Sequence, residues 1–202
     1  MRITVFGATG RTGRLLVAAA LEEGHHVTAY ARTPGKLGIA HPDLSVVEGR
    51  LDDEEALTRA VRGADAVIEG VGSESEGTRR IVRAMAATGT RRLVAISTCS
   101  VPDPADLPDL RVRALARFVR TVAPRPWSEV RAAAGVVRAS GLDWTLVRVA
   151  RLADGPPTGQ VRAGHYGHGA VGMSIRRADL AAFLLGQVTD RTYVGAAPAV
   201  SG

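Results

Sequence analysis

The sequence predicts an α/β protein whose parallel sheet is covered by helices on both faces. Extended apolar segments alternate with segments of helical periodicity along the chain, and a glycine-rich turn joins the first strand to the first helix. No internal repeat or low-complexity linker interrupts this alternation. Because consecutive parallel strands need right-handed crossovers over the sheet faces, the pattern indicates a doubly wound parallel sheet of the Rossmann class, a three-layer α/β/α arrangement.

Each element follows from its local pattern. Short apolar, β-branched runs predict strands at 2–6, 25–32, 44–49, 64–71, 91–98 and 142–149, and a short last strand near Tyr193. Apolar residues at helical spacing predict helices at 11–24, 53–63, 76–88, 111–122, 128–140 and 176–188. Asp52 or Asp53 is expected to cap the second helix and Asp179 the last one, and Gly89 follows the end of the third.

Length and composition predict one domain. A chain of 202 residues supports a single Rossmann domain over 1–202, in which residues 100–125 and 150–175 are expected to form a small part that covers a substrate. No apolar run approaches the ~18 residues of a membrane span, and the first residues enter a strand directly, so a cytoplasmic protein without membrane contact is expected. Cys99, the only cysteine, excludes an internal disulfide.

The formal charge of +6 raises the possibility of nucleic-acid binding. The arginines are spread from Arg2 to Arg191 without forming a tract, and no zinc-finger or RNA-binding motif accompanies them. Solvated faces explain this charge better, and it can assist the capture of an anionic small molecule. We therefore expect a small-molecule substrate, no nucleic-acid partner, and a monomer or a homodimer.

The stretch "TVFGATGRTGRL", residues 4–15, carries the main functional signal. A glycine-rich turn before a helix N-terminus binds phosphate, because the first N–H groups lack intrahelical partners and the helix dipole attracts anions. Gly7 would allow the tight turn, Gly10 the approach of a pyrophosphate, and Gly13 close packing of helix on strand.

The second strand ends in "YARTPGK", where NAD enzymes usually offer an acidic residue to the ribose. Arg32 stands there, followed by Thr33 and, within a turn, by Lys36. A guanidinium pairs with a 2′-phosphate and stacks on adenine. The sequence therefore favours NADP(H) over NAD(H).

Several segments together carry a family resemblance. "VFGATGRTG", the Arg-Thr after the second strand, "GADAVIEGVG", "RRLVAIST", "RASGLDWTLVR", "LADGPPTG" and "RRADLA" resemble the atypical short-chain dehydrogenases/reductases. More narrowly, they are similar to NmrA-like NAD(P)H-binding proteins and to biliverdin-IXβ/flavin reductases. The resemblance implies a pyrophosphate on Thr9, Gly10, Arg11, Thr12 and Gly13, a 2′-phosphate on Arg32 and Thr33, and a nicotinamide beside Gly72, Ser97 and Thr98.

The chain departs from these relatives at three places. No tyrosine is followed four residues later by a lysine, so the usual Tyr-x-x-x-Lys proton donor is absent. The chain also contains no asparagine, which excludes the Asn-Ser-Tyr-Lys relay. Gly49-Arg50 replaces a common Gly-Asp, which leaves adenine recognition to the Leu51 backbone, Asp52 or stacking. Residues 149–151 are Val-Ala-Arg instead of Pro-Pro-His, so a biliverdin-specific reductase is not supported.

Ser97, Thr98 and Tyr166 are the candidate catalytic residues. The two hydroxyls at the end of the fifth strand either hold the nicotinamide amide and relay a proton, or only terminate the strand. Tyr166, or a neighbouring histidine, could reach the nicotinamide end as an acid or a stacking wall. His165 and His168 have no nearby carboxylate or cysteine in sequence, so no metal site is predicted. Cys99 has no basic neighbour in sequence and is expected to be a buried structural thiol.

Hydride transfer to a flavin or quinone needs mainly cofactor orientation and a stacking slot, so it can proceed without the tyrosine-lysine pair. We therefore predict an NADPH-dependent reductase acting on a planar conjugated acceptor. The alternatives are a non-catalytic NADP(H)-binding redox sensor, and an isomerase or cyclase acting on a biosynthetic intermediate.

Overall fold

A computed structural model describes residues 1–71 and 74–202. The strands are β1 (Arg2–Phe6), β2 (His26–Ala31), β3 (Leu44–Glu48), β4 (Ala66–Glu69), β5 (Arg92–Thr98), β6 (Asp143–Val149), β7 (Leu152–Ala153), β8 (Arg162–Gly164), β9 (Ile175–Arg176) and β10 (Ala199–Ser201). The helices are α1 (Arg11–Glu22), α2 (Glu54–Val61), α3 (Ser75–Thr88), α4 (Leu110–Val122), α5 (Pro124–Arg138) and α6 (Arg177–Gly186). No helix within these ranges is both long enough and apolar enough to cross a bilayer.

The main sheet has the strand order β3-β2-β1-β4-β5-β6-β10-β8. All pairs from β3 to β10 are parallel, and β8 joins the edge antiparallel to β10. The order reverses between β1 and β4, and ligands of such sheets bind at this switch point, outside the carboxyl ends of the strands. The predicted doubly wound fold is confirmed.

Two apolar cores lie on opposite faces of the sheet, because successive strand residues point to opposite sides. Ile3 and Val5 face α1 and α6, which pack against each other on one side. Phe6 faces the other side, where α2, α3 and α5 form the second layer. Helix α4 lies outside this layer, against α5, and none of its residues is buried.

Most predicted boundaries agree with the structure, and the caps explain several of them. Asp53 caps α2 by accepting a 2.9 Å hydrogen bond from the Ala56 N–H, and Gly89 ends α3 with a φ of +76°. Helix α5 starts four residues earlier than predicted, because Pro124 fits the first helical position.

Two predictions in the C-terminal part are wrong. The residues around Tyr193 form a turn, and the last strand lies later, at β10. Asp179 does not cap α6, which begins at Arg177; it lies within the first turn. Its buried carboxylate accepts hydrogen bonds from the Thr158 and Gly159 N–H groups and from the Thr158 hydroxyl, so it anchors a distant turn instead.

Candidate nucleotide and acceptor site

The glycine-rich turn between β1 and α1 is shaped by its three glycines. Gly7 has a φ of +78°, which side chains disfavour, and its carbonyl accepts a 3.0 Å hydrogen bond from the Gly10 N–H. A Cβ at Gly13 would overlap the Gly7 carbonyl and the Ala8 backbone. Each glycine therefore meets a steric requirement of this tight connection.

The N-terminus of α1 is open to an anion. Gly10 is its N-cap and supplies no side-chain hydrogen bond, and no acidic residue lies in the first turn. The first N–H groups of a helix have no intrahelical partner, and the helix dipole adds positive potential. This N-terminus presents the N–H donors that a pyrophosphate requires, and pyrophosphate binding at Thr9 to Gly13 stays a prediction.

Two cavities open on either side of this turn. One, of about 350 Å³, is lined by Gly7, Thr9, Tyr30, Ala31, Arg32, Arg50, Leu51, Asp52, Val71, Glu74, Glu76, Gly77 and Arg80. The other, of about 840 Å³, is wider and is lined by Thr9, Gly10, Arg32, Thr33, Lys36, Glu48, Gly49, Arg50 and Asp53. Thr9, Arg32 and Arg50 line both cavities, Leu51 and Asp52 line only the first, and Thr33 lines only the second, so the predicted nucleotide-binding residues lie beside the glycine turn.

Tyr30 lies in the wall of the 350 Å³ cavity. Its hydroxyl donates a 2.6 Å hydrogen bond to the carbonyl of Arg50, and its ring packs against Phe6 with centroids 5.0 Å apart. Burial, followed by the neighbouring charge of Asp53, raises the pKa of Tyr30 to about 12. The phenol therefore remains protonated and keeps donating this bond at any physiological pH.

Arg11, the first residue of α1, reaches across to a different segment. Its guanidinium pairs with Asp154, which also accepts a 2.6 Å hydrogen bond from Arg177. The turn containing Asp154 is thereby linked to the start of both α1 and α6. Thr12 lies in the first turn of α1, and Gly72 lies outside the described residues.

The hydroxyls at the end of β5 lie at the same edge of the sheet. Ser97 is buried, and its Oγ has no hydrogen-bond partner among the described residues. The Thr98 and Ser100 hydroxyls are 2.6 Å apart. Cys99 is buried as predicted, and burial raises the pKa of its thiol.

A third cavity, of about 210 Å³, begins directly beyond β5. It is lined by Cys99, Ser100, Pro102, Asp106, Leu107, Pro108, Asp109, Val112, Arg113, Ala116 and Tyr166. Tyr166 is almost fully buried, its hydroxyl has no partner among the residues described, and burial raises its pKa above the ordinary value. This phenol is a neutral donor and not a base.

A buried arginine, which the sequence reasoning did not single out, holds this third cavity together. Arg148 is fully buried and donates to both carboxylate oxygens of Asp106, at 2.5 and 2.8 Å, and to the Val101 carbonyl at 3.0 Å. The Asp106 carboxylate also accepts 3.0 Å hydrogen bonds from the Tyr166 N–H and from the Asp103 N–H. Burial is the largest single influence and acts to raise the Asp106 pKa, but the hydrogen bond and charge of Arg148 together with the two backbone N–H bonds outweigh it, so the pKa is lowered.

Glu69 is a second buried charge that was missed. It ends β4, is 1% exposed, and accepts a 2.7 Å hydrogen bond from the Thr78 hydroxyl in α3. Burial raises its pKa to about 7. The burial of both residues could have been predicted from the sequence. Side chains two residues apart in a strand point to the same face of the sheet, and Glu69 and Arg148 follow Val67 and Leu146, which face the core, by two residues.

The two histidines do not share a site. His168 contacts the Ala105 carbonyl at 3.1 Å, His165 lies 3.7 Å from the Asp103 carboxylate, and their ring centroids are 6.4 Å apart. Within residues 1–71 and 74–202, no group of three or more His, Cys, Asp or Glu side chains could hold a metal ion.

Comparison with known proteins adds a family to this geometry. Residues 7–191 match the model of a family described as NAD(P)H-binding. A (4-alkanoyl-5-oxo-2,5-dihydrofuran-3-yl)methyl phosphate reductase of Streptomyces griseus is 34% identical over 208 residues, which cover 99% of this chain and 67% of the relative. A 3-beta-hydroxysteroid dehydrogenase of Mycolicibacterium neoaurum is 32% identical over 120 residues, 50% of this chain. The chain covers about two thirds of the first relative's length and 32% of the second's.

Solved structures show the same fold. A short-chain dehydrogenase/reductase of Veillonella parvula in complex with NADP superposes with a TM-score of 0.82 at 24% identity, covering 100% of this chain and 94% of that one. ChuY, an anaerobillin reductase of Escherichia coli O157:H7, superposes with a TM-score of 0.78 at 20% identity, covering 100% and 97%. The open glycine cradle and the family match agree, and the chain belongs to the NAD(P)H-binding family, with the fold of the short-chain dehydrogenases/reductases.

Proposed function

We propose that the protein is an NADPH-dependent reductase that transfers hydride to a planar conjugated acceptor such as a flavin or a quinone. The observation that carries this proposal is the position of three cavities along one edge of the sheet. Two of them flank the glycine turn and present Arg32, Lys36 and Arg50, and the third begins beyond the last residue of β5. In this proposal a dinucleotide bound in the first two extends along the edge, past the end of β5, towards the third.

The cofactor half of the proposal uses charged and backbone groups. The N-terminus of α1 binds the pyrophosphate, and Arg32 and Thr33 bind the 2′-phosphate. The Arg32 side chain is exposed and makes no hydrogen bond or ion pair with any residue in the described part of the chain. It is therefore free to pair with the phosphate without first breaking another interaction.

The acceptor half uses hydroxyl groups. Reduced nicotinamide supplies the hydride when bound. The buried Ser97 hydroxyl, which lacks a partner in the described structure, holds the nicotinamide end, and the paired Thr98 and Ser100 hydroxyls relay a proton to the acceptor. Tyr166 forms a wall of the acceptor cavity, where its raised pKa makes it a hydrogen-bond donor and a weak acid.

The Streptomyces griseus relative supports a conjugated acceptor. Its name describes the reduction of an alkanoyl-substituted 5-oxo-2,5-dihydrofuran, an unsaturated lactone that is a planar conjugated system. The acceptor of the present protein need share only that electronic character, because hydride addition requires an electron-poor conjugated carbon held against the nicotinamide.

A non-catalytic NADP(H) sensor is the second candidate. The absence of any Tyr-x-x-x-Lys sequence favours it, because the usual activated proton donor is missing. An isomerase or cyclase remains a third candidate.

The test begins with fluorescence titrations of the protein with NADPH and with NADH. FMN or 2-methyl-1,4-naphthoquinone is then added, and the absorbance of the reduced nicotinamide is followed. We expect tighter binding of NADPH, acceptor-dependent oxidation, and loss of NADPH binding in Arg32→Glu. Arg83→Glu is the matched control, since Arg83 is an exposed arginine of α3 that lines neither nucleotide cavity.

The outcomes separate the candidates. NADPH binding without turnover on either acceptor would favour the sensor. Equal affinities for NADPH and NADH, unchanged in Arg32→Glu, would contradict the cofactor preference.

A further inference from the structure

We infer that Arg50 is a second specificity-determining residue, which grips the 2′-phosphate and the adenine of NADPH together with Arg32. This inference rests on the NADPH preference proposed above and extends it to a residue outside the recognised nucleotide motifs. Arg32 and Arg50 are the two arginines common to both nucleotide cavities, so their side chains border the same space from β2 and from β3.

The backbone at Arg50 is held in one place. Its carbonyl accepts the 2.6 Å hydrogen bond from the Tyr30 hydroxyl. A Cβ at the preceding Gly49 would overlap that same hydroxyl and the Ala56 side chain, so only glycine allows this close packing. The Gly49-Arg50 turn is thereby pinned to β2 and α2, and the Arg50 side chain starts from a fixed point at the cavity rim.

The guanidinium of Arg50 is available to a ligand. Its side chain is 74% exposed, and its one ion pair within the described structure is a 3.3 Å contact with Asp52, which is 60% exposed. Exposed ion pairs of this kind contribute little free energy, so a phosphate competes with Asp52 at small cost. A guanidinium also stacks its plane on an aromatic base, which a lysine cannot do.

Charge balance shows what Arg50 changes. Besides Arg50, the wider cavity is lined by two cations, Arg32 and Lys36, and by two acids, Glu48 and Asp53. These four side chains cancel formally, so without Arg50 the side chains of the lining carry no net charge. Arg50 makes the lining net positive, and that difference discriminates NADPH from NADH.

The experiment uses two cofactor fragments that differ by one group. 2′,5′-ADP carries the 2′-phosphate and 5′-AMP lacks it, so the ratio of their dissociation constants measures recognition of that phosphate without any turnover. Calorimetry would compare the unaltered protein with Arg32→Ser, Arg50→Ser, the double variant and Arg50→Lys. Arg83→Ser is the matched control, and thermal unfolding of each variant checks folding.

We expect Arg50→Ser to weaken 2′,5′-ADP binding about tenfold, the scale of one lost charge-assisted hydrogen bond, and 5′-AMP binding less. Arg50→Lys should keep most of the preference for 2′,5′-ADP and lose the stacking contribution to both fragments. Arg83→Ser should change neither affinity.

Two failures are distinguishable. An unchanged ratio in Arg50→Ser, with a collapsed ratio in Arg32→Ser, would overturn the role of Arg50 and leave the proposed function standing. Equal binding of the two fragments by the unaltered protein would overturn both the NADPH preference and the inference that depends on it.

Discussion

The Tyr30 hydroxyl and the Arg50 carbonyl, 2.6 Å apart, join the end of β2 to the turn that follows β3. Both segments line the nucleotide cavities. This side-chain hydrogen bond adds to the parallel pairing of β2 with β3 and to the 3.2 Å bond from the Gly49 N–H to the Ala31 carbonyl. A neutral hydrogen bond of this kind contributes about 1 kcal/mol to stability.

Tyr30→Phe should therefore lower the free energy of unfolding by about 1 kcal/mol and weaken 2′,5′-ADP binding, because the Arg50 turn is released. Urea denaturation and calorimetry would measure the two effects. Tyr193→Phe is the matched control, because the Tyr193 hydroxyl makes no hydrogen bond with the described residues. Unchanged 2′,5′-ADP affinity in Tyr30→Phe would show that the turn keeps its position without this bond.

Gly13→Ala should abolish nucleotide binding, because the new methyl group would overlap the Gly7 carbonyl and push α1 away from the turn. Gly135→Ala provides the control within a helix. Gly135 lies exposed in α5 with open space around its Cβ position, so alanine should stabilise the protein by about 1 kcal/mol through helix propensity alone. Fluorescence titration with NADPH and urea denaturation separate the two results, and full NADPH affinity in Gly13→Ala would contradict the steric account.

Glu69 should make stability depend on pH. Its pKa is raised from 4.5 to about 7 in the folded protein, so the folded state binds more protons than the unfolded state between these values. The free energy of unfolding should fall by about 3 kcal/mol as the pH rises through this window, and stay lowered above it. Glu69→Gln should remove this fall, so its stabilising effect at pH 8 should vanish at pH 4.

Glu129→Gln is the contrasting control. This exposed carboxylate accepts hydrogen bonds from the Ser75 N–H and hydroxyl, which lower its pKa. Its contribution to stability is therefore lost as the pH falls, the opposite sign to Glu69. Urea midpoints of both variants across pH 4 to 8 would test the pair, and parallel pH profiles would contradict the assignment.

Arg148→Met should destabilise the protein by about 3 kcal/mol, because the Asp106 carboxylate is left without its buried partner. Hydrogen exchange at the Tyr166 amide, which donates to Asp106, should accelerate with it. Combining Arg148→Met with Asp106→Leu should recover part of the loss, since the unpaired charge is then gone. A double variant no more stable than the single one would show that the carbonyls bonded by Arg148 dominate.

The alternation of strand and helix patterns was enough to predict a doubly wound parallel sheet, because each long element carries several residues of clear periodicity. β7, β8, β9 and β10 were not predicted at these positions. They have two or three residues each, too few for any period to show. Their pairing depends on contacts between distant parts of the chain, which no local pattern contains.

The site divides in the same way. The roles of Gly7, Gly10 and Gly13 in the turn could be predicted, because the contacts that require glycine there involve residues only a few positions away. Arg32 and Thr33 follow the end of β2, and in a doubly wound sheet the carboxyl ends of the strands lie at the ligand site, so their position near the nucleotide could be predicted as well. The partnership of Arg148 with Asp106 joins residues 42 positions apart, and Tyr30 meets Arg50 across two strands. Only the folded chain brings those groups together.

Arg148 is buried and α4 is not, and this difference affects the order in which the two ligands bind and dissociate. Arg148 fastens the segments around Asp106 and Tyr166 to the sheet, whereas α4, which supplies Val112, Arg113 and Ala116 to the acceptor cavity, has none of its 13 residues buried. Elements with few buried contacts open most readily, so the acceptor should enter and leave past α4, whereas the dinucleotide should enter through the cavities beside the glycine turn. Separate entry routes for the two ligands predict random-order kinetics, in which either ligand can bind first.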